Sequence, residues 1–248
     1  MGEPLKKYKQ EDCEIVKFPN KKDAKLTKAG FTKMTPNNSI KGESKTVYPL
    51  KKKEDIEAIK KYYLDKKDSA KDSEDKQIAG RDLLIFIVGI NSGLRMSDIL
   101  KLTWGDIFYK DESFKEAVRI VENKTEKFKD FYLNNSCKTA FNNYIEEFGI
   151  KISLNNHIFR SREGGFIDVN TFSKSIKKAA IECGIKFNVA THTCRKTWAY
   201  NQIMAHQNDA YFMAHLMNLL NHSSISATLH YAGIEAEQYK KYYDDVNL

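Results

Sequence analysis

The sequence predicts an α+β fold that is mainly α-helical and carries a small antiparallel β-sheet. Apolar residues recur at helical spacing along most of the second half of the chain and in parts of the first half. Two short β-type runs flank a charged segment, which is the pattern of a β-hairpin. The hydrophobic fraction of 41%, with 12% aromatic residues, is enough for a buried core and excludes wholesale disorder.

The first helices can be placed from their apolar spacing and their ends. Residues 54–64 have the spacing of an amphipathic helix, whereas the charged and small residues 65–76 predict a surface loop. A second helix is expected to end at Gly93, because glycine accepts the left-handed conformation that terminates helices. Ser97 is then expected to cap a short third helix.

The small sheet is predicted in the middle of the chain. Its hairpin strands are expected at residues 117–121 and 131–133, with a charged tip between them. A helix over residues 136–148 follows, and residues 158–159 are expected to form a third short strand. The remaining sequence predicts helices, with breaks at Gly184, residues 207–209 and Asn221.

The net charge of +8 is concentrated near the N-terminus. Residues 1–53 contain 14 lysines and six acidic residues, whereas residues 54–248 contain 27 basic and 27 acidic residues. We therefore predict a basic, flexible arm over residues 1–47 before a folded domain over residues 48–248. Such an arm suits a polyanionic partner, although a solvated leader without any partner would have the same composition.

Several protein classes are excluded by what the sequence lacks. The four scattered cysteines include no CxxC pair, which predicts neither a disulfide framework nor a zinc site. No apolar stretch is long enough to span a membrane, and the first residues lack the apolar core of a signal peptide. No nucleotide-binding glycine motif is present. We expect a cytoplasmic protein without a metal or cofactor.

Two motifs place arginines where they could bind a phosphate. In GLRMSD, residues 93–98, Arg95 directly follows a glycine break, and Asp98 could brace its guanidinium through an ion pair. In HTCR, residues 192–195, His192 and Arg195 stand three positions apart and so share one helix face. Each motif alone is also compatible with an ordinary pair on a helix surface.

A third motif, LNHSS at residues 220–224, precedes a tyrosine. On one continuous helix, His222 and Tyr231 would be separated by about 900° of rotation and would point in opposite directions. Asn221 can end the first helix, and Ser223 or Ser224 can cap a new helix that carries Tyr231. The local sequence therefore allows the histidine and the tyrosine to meet.

Together and in this order, the three motifs resemble those of the tyrosine recombinase (phage integrase) family. The resemblance extends over roughly residues 48–240 and concerns the C-terminal catalytic domain of that family. It implies the tyrosine recombinase, or DNA breaking-rejoining, catalytic fold for this part of the chain. The active-site residues that it implies are the phosphate-binding Arg95 and Arg195, the donors His192 and His222, and the nucleophile Tyr231.

The family also carries a catalytic lysine on the turn between two β-strands. The predicted hairpin tip contains KTEK, residues 124–127, which resembles the family pattern. We assign the role of general acid to Lys124, with Lys127 as the alternative. This chain departs from the family at Asn221, where glycine is usual, and at Lys196, where a second histidine is frequent.

The resemblance implies an enzyme that cleaves and rejoins double-stranded DNA through a 3′-phosphotyrosyl intermediate, without metal or ATP. It implies a bacterial or phage-encoded integrase of a mobile element that acts as a homotetramer on DNA, with a monomer equally compatible in solution. The basic arm is then either the remnant of a truncated DNA-clamping domain or a substitute for one. Two alternatives remain open, a type IB topoisomerase-like nicking-closing enzyme and a non-catalytic DNA-binding accessory protein.

Overall fold

Most of the described residues lie in helices, and one antiparallel hairpin lies between the fourth and fifth of them. The computed structural model describes residues 46–122, 128–234 and 243–245. The predicted fold class is confirmed. The elements are α1 (Lys53–Asp68), α2 (Ser73–Ser92), α3 (Met96–Ile99), α4 (Trp104–Ile107), β1 (Val118–Val121), β2 (Phe128–Phe131), α5 (Asn135–Phe148), α6 (Val169–Glu182), α7 (Thr191–Ala205), α8 (Phe212–Leu220) and α9 (Ile225–Ala232).

The long helix α2 lies at the centre of the fold, where it contacts α1, α5, α6 and α7. It begins at Asp72, whose side chain accepts a hydrogen bond from the Asp75 amide at 2.7 Å. Most of its apolar residues are buried, and the helix ends at Gly93 as predicted. Because α2 packs directly against α7, the turn after α2 is held close to the first residues of α7.

The buried apolar residues form two clusters, and α7 contributes to both. The larger cluster surrounds α2 and includes Cys194 of α7. The smaller cluster joins the second half of α7 to α8 and α9 through Ala199, Leu216 and Ala232. Burial of apolar side chains is the main favourable contribution to the free energy of packing one helix against another. The residues between Cys194 and Ala199 therefore lie where the two clusters meet.

The hairpin pairs β1 with β2 in an antiparallel register, with Ile120 opposite Lys129 and Val118 opposite Phe131. The predicted position of β1 is confirmed, but β2 starts at residue 128 instead of 131. Side chains alternate between the two faces of a strand, and Phe131 faces the core. Lys129, two residues earlier, lies on that same inward face. The early start of β2 thus moves Lys129 from the expected tip into the ladder.

Three other local predictions were wrong. Helix α1 continues to Asp68, because Lys67 near its end forms a 2.7 Å ion pair with Glu147 of α5 and basic residues are favourable at a helix C-terminus. Ser97 is not a cap, since α3 begins one residue earlier after the extended residue Arg95. Residues 158–159 lie beside isolated bridges instead of in a strand, and the described residues contain one two-stranded sheet.

The predicted arm, residues 1–47, lies outside the described residues except for its last two. Thr46 accepts a hydrogen bond from the Asn188 side chain at 3.4 Å, and Leu50 donates its amide to the Thr197 hydroxyl at 2.8 Å. The chain is thus attached to the body from residue 46 onward. Among the described residues, no helix is long and apolar enough to cross a membrane.

Candidate active site

Arg95 is presented by the turn that follows α2. Gly93 ends the helix in the left-handed conformation, with φ of +65°, and a Cβ atom at this position would lie 2.6 Å from the Trp198 indole of α7. Only glycine allows this close approach, which brings the turn against α7. The side chain of Arg95 is 17% exposed, so most of it lies between the turn and its neighbours.

Arg195 reaches the same region from the second turn of α7. It is 4% exposed, and its Nη2 donates to the main-chain carbonyl of Leu220 at 3.0 Å. The Nη1 atoms of Arg195 and Arg95 are both buried without a hydrogen-bond partner among the described residues. A buried donor costs free energy unless a partner satisfies it. The two arginines therefore provide two buried nitrogens that a ligand could satisfy.

His192 shares α7 with Arg195, as its spacing predicts, but it lies in the first turn and is exposed. The hydroxyl of Thr193 accepts a hydrogen bond from the Ala190 amide at 3.1 Å and so helps to begin the helix. Of the two residues in the HxxR motif, Arg195 belongs to the buried cluster and His192 remains at the surface beside it.

The break between α8 and α9 has the predicted geometry. Asn221 adopts the left-handed conformation, with φ of +58° and ψ of +47°. The amide of His222 donates to the Met217 carbonyl at 3.0 Å, which completes a Schellman-type helix end. Ser224 then begins α9, where its hydroxyl accepts from the Ala227 amide at 3.1 Å. The prediction left Ser223 and Ser224 open, and the structure selects Ser224.

This break brings His222 and Tyr231 together. Their ring centroids are 4.9 Å apart at an interplanar angle of 67°, an edge-to-face contact. The ammonium of Lys196 lies over the Tyr231 ring, 5.0 Å from its centroid, within the range of a cation–π contact. Lys196 was noted in the sequence only as a departure from the family, and its contact with the tyrosine depends on the tertiary fold.

The charges of the two arginines act on both rings. Burial raises the pKa of Tyr231, and the positive charges of Arg195 and Arg95 oppose that increase. Burial, together with the same two arginines, lowers the pKa of His222. The structure thus brings Arg95, Arg195, His222 and Tyr231 within electrostatic reach of one another. His222 is favoured in its neutral form, which can accept a proton.

The predicted general acid Lys124 and its alternative Lys127 lie outside the described residues. Another hairpin lysine, Lys129, is instead placed in the cluster. Its Nζ donates to the main-chain carbonyl of Leu219 at 2.8 Å, and burial, followed by the charge of Arg195, lowers its pKa to about 8. Sequence analysis missed Lys129, although its spacing of two from the apolar Phe131 is a signal for the inward face.

Glu122, at the end of β1, is the second residue that sequence analysis missed. It is 5% exposed, and its Oε1 lies 2.8 Å from Nη1 of Arg95 and 3.8 Å from Nζ of Lys129. The contact with Arg95 is an ion pair without hydrogen-bond alignment, since Nη1 has no hydrogen-bond partner among the described residues. The ion pair between Glu122 and Arg95 therefore connects the hairpin to the turn after α2. The Nη1 atom of Arg95 still has no hydrogen-bond partner among the described residues.

The cluster thus combines a phenol, a neutral imidazole and buried cations. Two guanidinium groups and an ammonium can stabilise negative charge on a phosphate, and the imidazole can take a proton from the phenol. Among the described residues, no group of three or more His, Cys, Asp or Glu side chains is placed to hold a metal ion.

Comparison with known proteins agrees with this arrangement. Residues 67–238 match the Phage integrase family. The chain belongs to this family. The tyrosine recombinase resemblance that the three motifs carry is therefore confirmed, and the protein is a tyrosine recombinase family enzyme.

Curated relatives of this family member include "Probable integrase/recombinase YoeC" of Bacillus subtilis (strain 168). It is 32% identical over 192 residues, which is 77% of this chain and 92% of YoeC. "Tyrosine recombinase XerC" of Xanthomonas axonopodis pv. citri (strain 306) is 26% identical over 170 residues, which is 68% of this chain. The match covers 52% of that XerC, so the chain spans about half of its length.

Solved structures show the same fold in two recombinases. The XerA recombinase superimposes with a TM-score of 0.56 at 17% identity, over 79% of this chain and 64% of XerA. The XerH site-specific recombinase, solved with a palindromic difH substrate in a post-cleavage complex, superimposes with a TM-score of 0.58 at 14% identity. That match covers 80% of this chain and 53% of XerH.

Proposed function

We propose that this chain cleaves and rejoins double-stranded DNA at a specific site, with Tyr231 as the nucleophile and a 3′-phosphotyrosyl intermediate. The observation that supports this most directly is the position of the Tyr231 ring. It contacts His222 in a cluster that also holds two buried arginine nitrogens without hydrogen-bond partners among the described residues. A phosphodiester oxygen would satisfy these donors, and the same contact would place phosphorus beside the phenol.

Each step of the reaction has a group in this cluster that suits it. Tyr231 Oη attacks phosphorus, and its proton passes to a neutral imidazole as the Oη–P bond forms. Arg95 and Arg195 stabilise the charge that grows on the non-bridging oxygens. The bond from phosphorus to the 5′-oxygen then breaks, and a hairpin lysine protonates the leaving oxygen. Because one phosphate ester replaces another, a 5′-hydroxyl can reverse the step without ATP.

For the partner, we propose double-stranded DNA bound by a homotetramer, with the basic arm adding phosphate contacts. Solved structures with this fold include the XerH complex with its difH substrate and a lambda integrase tetramer bound to a Holliday junction, the latter at a TM-score of 0.50 and 14% identity. The +8 charge of residues 1–53 would favour a polyanionic partner.

The test is covalent trapping on a DNA library, so that the target sequence is found by the experiment itself. A randomised library of short nicked duplexes is incubated with the protein, and DNA that stays attached in detergent is recovered and sequenced. We expect an enriched target sequence, a free 5′-hydroxyl at the cleaved end, and no adduct with Tyr231→Phe. Tyr243→Phe, an exposed tyrosine outside the cluster, is the matched control and should retain the adduct.

The outcomes separate the proposal from its alternatives. An adduct that survives in Tyr231→Phe would refute the assignment of the nucleophile. Adducts without sequence enrichment, together with plasmid relaxation, would instead indicate a topoisomerase-like enzyme. DNA binding without any adduct would indicate an accessory protein. Because the arginines supply the charge stabilisation, we expect EDTA to leave adduct formation unchanged.

A further inference from the structure

Tyr231 lies in the last turn of a short helix, so the position of its ring depends on contacts outside that helix. α9 has eight residues, and Gly233 ends it in the left-handed conformation. The terminal turn of a short helix frays readily, because few main-chain hydrogen bonds hold it. Two side chains from outside α9 contact the Tyr231 ring, and the proposed reaction assigns no role to one of them, Lys196.

Lys196 approaches the ring from α7. Its Nζ lies over the ring of Tyr231, 5.0 Å from the centroid, and the negative face of an aromatic ring attracts a cation at this distance. The preceding residue, Arg195, is anchored to the Leu220 carbonyl at 3.0 Å. α7 also contacts both α8 and α9. Lys196 therefore extends from a helix that is fixed in place onto a ring whose own helix is short.

The Lys196 contact acts on the ring of the nucleophile and not on the helix that carries it. The main chain at the end of α9 is fixed separately, because the Lys51 ammonium donates to the Gly233 carbonyl at 2.6 Å. Burial lowers the pKa of Lys196, so its ammonium has lost part of its contact with water. A desolvated cation gains more from the face of a ring than an exposed cation does.

We propose that Lys196 is a positioning residue that holds the Tyr231 ring in the cluster through a cation–π contact before DNA binds. Its effect on the cleavage rate rests on the proposed function, whereas the contact itself does not. Lys196 neither donates nor accepts a proton in the reaction, and Arg95 and Arg195 remain the groups that bind the phosphate. The lysine stands where the family frequently has a second histidine, so the contact follows from a departure of this chain from the family pattern.

The contact can be measured by NMR on the whole chain without DNA. The side-chain methylene protons of a lysine held over an aromatic ring resonate upfield because of the ring current. In protein that carries 13C-labelled lysine, the Lys196 signal is assigned by its absence in Lys196→Arg. We expect an upfield signal in the wild type and in Tyr231→Phe, which keeps the ring, and its loss in Tyr231→Leu. A wild-type Lys196 signal without any upfield shift would overturn the proposal.

Single-turnover cleavage of the sequence found by trapping provides the second measurement. Lys196→Met keeps the length of the side chain without its charge and should cleave roughly 2- to 30-fold more slowly, with unchanged DNA affinity. Lys196→Arg places a cation over the ring again and should cleave at close to the wild-type rate. Lys138→Met is the matched control, since it removes an ammonium that lies 5.9 Å from the ring centroid of Phe114. It should leave the cleavage rate unchanged.

The two measurements fail separately from the proposed function. If the wild-type protein forms no adduct, the recombinase proposal fails, and the NMR signal still decides whether Lys196 contacts the ring. If Lys196→Met binds DNA more weakly but cleaves the bound DNA at the wild-type rate, Lys196 contacts a phosphate and its positioning role is refuted. Equal losses of rate in Lys196→Met and Lys196→Arg would also refute that role, while the recombinase proposal would stand.

Discussion

Oε1 of Glu122 lies 2.8 Å from Nη1 of Arg95, so a carboxylate on the hairpin forms an ion pair with one of the two arginines of the cluster. Glu122 is also 3.8 Å from Lys129, and its charge raises the pKa of that lysine against the effect of burial. One buried carboxylate thus orients two cations that come from different parts of the chain.

Glu122→Gln should slow single-turnover cleavage by about tenfold, because Arg95 and Lys129 lose the charge that orients them. DNA affinity should stay the same or increase, since a negative charge is removed from the cluster. Asp130→Asn is the matched control on the same hairpin. Asp130 pairs with Arg119 on the exposed face, where an ion pair contributes little. Faster cleavage by Glu122→Gln would mean that the carboxylate competes with phosphate.

Lys129 should give the cleavage rate an alkaline limit. With a pKa of about 8, its ammonium is charged below pH 8 and loses its proton as the pH rises above that value. We expect the rate to fall through this range in the wild type, to stay level in Lys129→Arg, and to be low throughout in Lys129→Met. Single-turnover rates on both sides of this pKa, with Lys124→Ala in parallel, check this. If Lys129→Arg keeps the same alkaline limit of the cleavage rate, a group other than Lys129 must cause that limit.

The left-handed residue Asn221 should be sensitive to a change of side chain. Asn221→Ala should lower the free energy of unfolding by about 1 kcal/mol, because alanine tolerates positive φ less well than asparagine. Asn221→Gly should keep the stability, since glycine adopts this conformation readily. Urea denaturation measures both variants. Equal free energies of unfolding for the Ala and Gly variants would show that the end of α8 does not depend on a left-handed residue at this position.

Deletion of residues 1–45 should flatten the salt dependence of DNA binding. This segment contains 11 lysines and six acidic residues, and each phosphate contact that it loses should reduce the slope of log K against log salt by about 0.9. Titrations of labelled duplex DNA between about 50 and 200 mM salt test this. The deletion leaves residue 46 and its hydrogen bond to Asn188 in place. An unchanged slope would identify the segment as a solvated leader.

The parts of the site that the sequence predicts are those set by short-range rules. Asn221 and Ser224 act within a few residues of their own positions, so helix-end chemistry alone predicted the break before Tyr231. The arginines were found through motif order. In contrast, Lys129 and Leu219 are 90 positions apart in the chain. Their hydrogen bond depends on how the hairpin packs against α8, which no local pattern specifies.

The same distinction explains two of the errors in the predicted fold. α1 was predicted too short because the pairing of Lys67 with Glu147 joins distant segments. The start of β2 was misplaced because charged residues suggested a tip, although the ladder with β1 includes them. Both errors concern polar residues whose partners come from elsewhere in the chain.

The C-terminal end of α8 holds more than one part of the cluster. The consecutive carbonyls of Leu219 and Leu220 bind the side chains of Lys129 and Arg195, and the chain then turns at Asn221 into His222. A shift of this single helix end would detach two cations and move the imidazole at the same time. Competence for cleavage should therefore be all-or-none, so that a chain with a displaced α8 is inert instead of partly active.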